Sequence, residues 1–203
     1  MKILGLSDRV VSLVNGPTLK RTFGDVDLVL GCGDLPASYL EYVLTVLNVP
    51  LIYVPGNHDP DFMRVPGGIG ADDRRVQVKG LTILGLGGSR RYKLEGQHQY
   101  SERQMAVRAV PHLLALTLRR WAGHRPLDIL LTHSPPFGVH DAADLAHRGF
   151  RTFLQLIDWL RPSLLVHGHT HVARNLDPVE SQVADTTVLN IYPYRTFDFP
   201  FKD

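Results

Sequence analysis

Short, near-continuous apolar runs punctuate the chain at residues 2–6, 26–30, 51–54, 81–86, 127–131 and 163–167. Runs of that length without polar alternation predict strands buried on both faces, as in parallel sheets covered by helices. Between them the spacing shifts to a helical period. From Pro36 to Asn48, Leu40, Val43, Leu44 and Leu47 share one face, with Pro36 in the first turn. Ser101 followed three residues later by Gln104 reads as a capping box that opens a long helix, and Pro111 is expected to kink or break it. Phe150, Phe153, Leu154, Ile157 and Leu160 make a further apolar stripe that stops before Pro162. The tail from Thr186 to Phe201 alternates enough to predict more strands. Residues 60–73 and 138–148 carry no periodicity and read as loops. Strands alternating with helices predict an α/β fold. No repeat or linker divides the chain, so residues 1–203 are expected to form a single domain.

Polar residues collect where the apolar runs end. Asp8 follows the first run and Gly31-Cys32-Gly33-Asp34 the second. The third leads into Pro55-Gly56-Asn57-His58-Asp59, the run at 127–131 into Thr132-His133-Ser134, and the last into His167-Gly168-His169-Thr170-His171. One Asp or His after a strand is ordinarily a cap or a turn residue. Five strands that each release a carboxylate, amide or imidazole at the carboxyl end point to a ligand site, because open α/β sheets bind ligands at that edge. Such a donor set suits Mn, Fe, Zn, Ni or Co, and the lack of thiolates in the motifs argues against a structural zinc site.

Composition narrows the function classes. Hydrophobic residues at 44% and charged residues at 21% are ordinary for a soluble globular chain. A formal charge of +2 supplies no large basic patch, so nucleic acid is not an expected partner. With one cysteine, Cys32, no intramolecular disulfide can form, which suits a reducing compartment. Its place between two glycines after an apolar run reads as a small core residue and not a nucleophile. Asp8 and Arg9 interrupt the first apolar run, so neither a signal peptide nor a membrane span is expected there, and the expected location is the cytoplasm. Neither a Gly-x-Ser-x-Gly elbow nor a Walker-type loop is present.

The order Asp8, Gly33-Asp34, Gly56-Asn57-His58-Asp59, His133, Gly168-His169-Thr170-His171 resembles the calcineurin-like metallophosphoesterases. Gly87-Gly88-Ser89, Tyr100-Ser101-Glu102 and the segment at 190–195 are similar to the small bacterial Icc-related branch. The resemblance implies a four-layer αββα sandwich with two central mixed β-sheets. It also implies hydrolysis of a small phosphoester, with nucleotides among the candidates, by a hydroxide activated at a two-metal centre. Mn is the first choice of ion, with Fe, Zn, Ni or Co as alternatives. Asp34 would bridge the ions, Asn57, His133 and His169 would complete one site, and Asp8 and His171 would serve the other. His58 would act as the catalytic acid beside the leaving group, and Asp59 would either orient His58 or hold a turn.

One position departs from the family pattern. The first block is usually Asp-x-His, but here Val10 stands in place of that metal-binding histidine. The outcomes to distinguish are a two-metal centre with one weakened site, a single-metal enzyme, and a degenerate pocket that keeps only a binding or scaffold role. The first is favoured because every other ligand is retained. Arg9 either binds a substrate oxygen or points to solvent, and Arg90 and Arg91, after a Gly-Gly turn, are candidate substrate-binding residues. His98, Tyr100, His140 and His147 are weaker loop candidates. Apolar residues on the helix spanning 105–121, if exposed, would point to an oligomer.

Overall fold

A computed structural model describes residues 1–123, 127–171 and 178–199. Its strands are β1 (Lys2–Leu6), β2 (Leu28–Gly31), β3 (Leu51–Tyr53), β4 (Ile69–Gly70), β5 (Arg74–Val78), β6 (Leu81–Leu86), β7 (Ser89–Arg90), β8 (Gln99–Tyr100), β9 (Ile129–Thr132), β10 (Leu164–His167), β11 (Glu180–Val183), β12 (Thr186–Asn190) and β13 (Tyr194–Asp198). The helices are α1 (Leu19–Phe23), α2 (Ala37–Leu47), α3 (Glu102–Trp121) and α4 (Arg151–Leu160). One sheet runs β13-β1-β2-β3-β4 and the other β11-β12-β10-β9-β6-β5, with β7 and β8 paired apart. Both large sheets are mixed: β13, β11 and β5 pair antiparallel at or beside the edges, and the strands between them are parallel.

Side-chain alternation explains the layers. Ile3, Leu28, Leu30 and Ile52 of the first sheet meet Ile83, Ile129, Leu131 and Val166 of the second in a core between the sheets. The neighbouring residues Leu4, Leu6 and Val29 turn the other way, onto Leu40, Val43 and Leu47 of α2. Leu84, Leu130 and Leu165 turn outward from the second sheet onto Met105, Phe153 and Ile157 of α3 and α4. The result is helix, sheet, sheet, helix. This is the four-layer αββα sandwich that the resemblance implied, and it accounts for strands apolar on both faces.

The expected elements form, with shifts of one or two residues at strand ends. Pro36 is the N-cap of α2 and lies just ahead of its first turn. Ser101 and Gln104 make the reciprocal capping box of α3. Pro111 does not break that helix, which continues to Trp121. Val107, whose carbonyl loses its donor to the ring, lies on the exposed side, where water can replace the lost bond. The tail forms β12 and β13, and the last residues of that stretch, 200 and 201, lie outside the described residues. No described helix is long and apolar enough to cross a membrane.

Candidate metal centre

The carboxyl ends of β1, β2, β9 and β10 meet at one edge of the sandwich. Ligand atoms of Asp8, Asp34, His133 and His169 all lie within 4.8 Å of one another. Backbone bonds stitch the loops together: Asp8 N–H donates to the Gly33 carbonyl at 3.1 Å, and Gly168 N–H to that of His133 at 3.0 Å. Asp8, Asp34 and His169 all have left-handed backbone, with φ of 61°, 56° and 63°. Such backbone costs a non-glycine residue about 1–3 kcal/mol and persists where the surroundings dictate the turn. Gly168 has no room for a side chain, since a Cβ there would collide with Ser7 Oγ and reach 2.6 Å from Asp8 Oδ2.

Hydrogen bonds fix which atoms remain free. Asn57 Nδ2 donates to the Tyr92 hydroxyl at 3.1 Å, which turns Oδ1 toward His133 Nε2, also at 3.1 Å. His133 Nδ1 lies 2.6 Å from the Cys32 carbonyl and must carry its proton there. The Nε2 of this wholly buried ring therefore faces two acceptors, Asn57 Oδ1 and Asp34 Oδ2, the latter at 3.4 Å. Three acceptors cannot satisfy one another, so they need either an extra proton or a cation among them. Burial opposes a charge on His133. The hydrogen bond to Asp34, the charges of Asp34 and Asp8 and the Cys32 carbonyl outweigh it and push the imidazole up to about 9. Burial likewise disfavours the Asp34 carboxylate, yet bonding to His133 and the His58 N–H holds it at about 2. A divalent ion fits where that proton sits.

The remaining groups complete the arrangement. His169 Nε2 donates to the Ala146 carbonyl at 2.8 Å, which leaves Nδ1 as its lone-pair nitrogen. Burial and the charge of His133 push this ring down to about 3, so it is a neutral donor. Asp8 Oδ2 accepts from Ser7 Oγ and from His169 N–H, while Oδ1 stands 3.9 Å from His171 Nε2. His171 is exposed and stacks on Tyr192 at 4.3 Å, so this half is the looser one. Val10, in place of the absent histidine, is 41% exposed. Asp59 does not orient His58. Its Oδ2 accepts from Gly56 N–H and Asp34 N–H, both at 2.8 Å, and thereby holds the turn. Cys32 is wholly buried in the core between the sheets, as expected.

A cavity of about 340 Å³ opens over these groups, lined also by His58, Tyr92 and His147. The His58 side chain is exposed at this mouth. Arg90 is elsewhere: it pairs with Glu102 at 2.6 Å and lines a neighbouring cavity. Arg91 bonds the Gln99 carbonyl at 3.3 Å, and Arg9 is exposed. None of the three arginines lines the cavity over the cluster. His147 does, with Nδ1 2.9 Å from Asp144 and its ring 5.0 Å from that of His169. His140 instead bonds the buried His167 at 3.0 Å, which in turn donates to the Gly168 carbonyl and braces the turn behind His169. Tyr92 was not legible as a site residue. It follows a two-residue strand, β7, and only the pairing of β7 with β8 carries it over Asn57.

Comparison with known proteins agrees with this fold. A solved crystal structure superimposes with a TM-score of 0.65 at 16% identity, covering 97% of this chain and 94% of that one. TT1561 of Thermus thermophilus gives 0.64 at 16% identity, with 94% and 88% covered. GAP50, the anchor in the inner membrane complex of Plasmodium, gives 0.55 at 13%, with 94% and 70% covered. At these identities the likeness concerns the fold. No curated protein sequence matches the chain. The family model described as calcineurin-like phosphoesterase matches residues 5–173, a span that contains every residue of the cluster, and the chain belongs to that family.

Proposed function

We propose that the protein hydrolyses a small phosphoester, a nucleotide being one candidate, with two divalent ions per chain, Mn first among them. The observation that carries this reading is the convergence of Asn57 Oδ1, His133 Nε2 and Asp34 Oδ2 on one point, where only an extra proton on His133 or a cation satisfies all three. Asp34, Asn57, His133 and His169 would hold the tighter ion, and Asp8, Asp34 and His171 the weaker. When bound, such ions supply Lewis-acid polarisation of the phosphoryl oxygens and lower the pKa of water toward about 7.

The chain's own residues do the rest. The His58 N–H holds Asp34 Oδ1 at 2.8 Å, leaving Oδ2 directed at the cluster. Tyr92 fixes the amide orientation of Asn57. The His58 side chain, free at the cavity mouth, would donate a proton to the leaving oxygen. His147, held through Nδ1 by Asp144, presents Nε2 as a second group able to move a proton there. A cavity of this size suits a small substrate better than a polymer.

A second reading, a fold retained for binding alone, is favoured by one observation, the exposed Val10. Metal-stripped protein assayed on a chromogenic phosphodiester and monoester separates the two. Turnover should return with Mn in the native chain and not in His169→Ala. Absence of turnover with every divalent ion, in protein that remains folded, would contradict the hydrolase and leave the binding role.

A further inference from the structure

Helix α3 is apolar on two opposite faces. Met105, Ala109 and Leu116 are buried in the core it shares with α4 and the second sheet. On the other side Val107, Val110, Leu114, Leu118 and Trp121 are exposed by 65%, 49%, 63%, 62% and 80%. At 3.6 residues per turn these five fall within an arc of roughly 80°, opposite the buried stripe. A helix lying on the surface ordinarily turns polar and charged side chains outward, and one apolar on all sides belongs in an interior.

The spacing is compatible with a second copy of the same helix. The steps along the stripe are three, four, four and three residues, the same read in either direction from Leu114. A second α3 laid antiparallel, with a two-fold axis at Leu114, sets Val107 against Trp121 of the other copy, Val110 against Leu118, and Leu114 against itself. This is the self-complementary pattern of an isologous contact, in which residue i meets j and j meets i. The area is also adequate. The five side chains expose about 600 Å² per copy, scaled from the ~150–250 Å² of a large side chain. Two copies would bury about 1,200 Å², the lower end for a specific stable interface. Trp159, 59% exposed, extends the patch at one end, where Arg120 donates to its carbonyl at 3.0 Å.

We infer that this face of α3 joins two copies of the chain in a two-fold homodimer. The inference stands apart from the phosphoesterase reading. Sedimentation equilibrium of the full chain at micromolar concentration should give twice the 22.7 kDa chain mass. Leu114→Glu places two carboxylates on the axis and should give a monomer with unchanged circular dichroism, because the position is exposed. Val110→Glu and Leu118→Lys should each give monomers, and the double variant should recover the dimer, since 110 faces 118 of the other copy at both ends. Should Leu114→Glu prove unfolded, mild oxidation of Leu114→Cys serves instead and should yield a disulfide-linked dimer, Cys32 being wholly buried. A native chain that stays monomeric, a Leu114→Glu variant that stays dimeric, or a double variant that stays monomeric would overturn the proposal.

Discussion

On the proposed two-ion reading, Val10 is the residue on which the strength of the second site turns. It is partly exposed beside the looser half, where His171 stands 3.9 Å from Asp8. Val10→His adds an imidazole at a position that tolerates it, so Mn titration should show a tighter second ion. Unchanged stoichiometry and affinity would contradict the assignment of that half. Asp59 acts on the site through the backbone. Removing its carboxylate strands two amides, those of Gly56 and Asp34, and each unsatisfied buried donor costs about 1–3 kcal/mol. Asp59→Ala should therefore lower the stability seen in urea denaturation by about 2–6 kcal/mol, nearer the lower end because the Asp34 amide is only partly buried, and weaken metal binding as well. The proposed ligands were legible in the sequence because Asp8, Asp34, Asn57, His133, His169 and His171 each follow an apolar run closely, so the strand itself delivers them. Tyr92 and the free nitrogen of each ring were not, because these depend on hydrogen bonds between segments distant in the chain, such as His133 to Cys32.

At the scale of elements, Glu102 couples the two helices of one outer layer. It sits in the first turn of α3 and accepts from Arg151 N–H, Thr152 N–H and Thr152 Oγ1 at the start of α4, and from Arg90. It thus does for α4 what an N-cap side chain does, since Phe150 supplies no side-chain cap. Glu102→Ala should cost about 1–2 kcal/mol in thermal or urea unfolding. A loss no larger than that of a surface control would show that the cap is dispensable. The strands that sequence reasoning found are those buried on both sides, together with the edge strand β13, whose residues fall in the alternating tail. Those it missed lie at or near edges: β5 reads Arg-Arg-Val-Gln-Val and β11 alternates exposed and half-buried positions, so neither forms an apolar run. The two-residue strands β4, β7 and β8 and the five-residue α1 are too short to show a period.

Across the whole molecule, the centre bridges the sandwich. Asp8, Asp34 and Asn57 come from the first sheet, and His133, His169 and His171 from the second, with the apolar core between the sheets setting their separation. Without an ion, the proton on His133 and the charge of Asp34 hold this junction. His133 is raised from 6.5 to about 9, so its contribution is full below 6.5 and lost as pH rises through 9. Asp34 is lowered from 3.8 to about 2, so its contribution is full above 3.8 and lost as pH falls through 2. The metal-free junction is therefore strongest between pH 3.8 and 6.5. At neutral pH a divalent ion must displace the His133 proton. The most direct test is calorimetric titration of metal-stripped protein with Mn at about pH 7.5 in two buffers of different ionisation enthalpy. The geometry predicts binding with release of about one proton per tightly held ion, and His133→Ala should abolish both. Absence of binding, or binding without proton release that survives His133→Ala, would contradict the claim that these converging acceptors form a cation site.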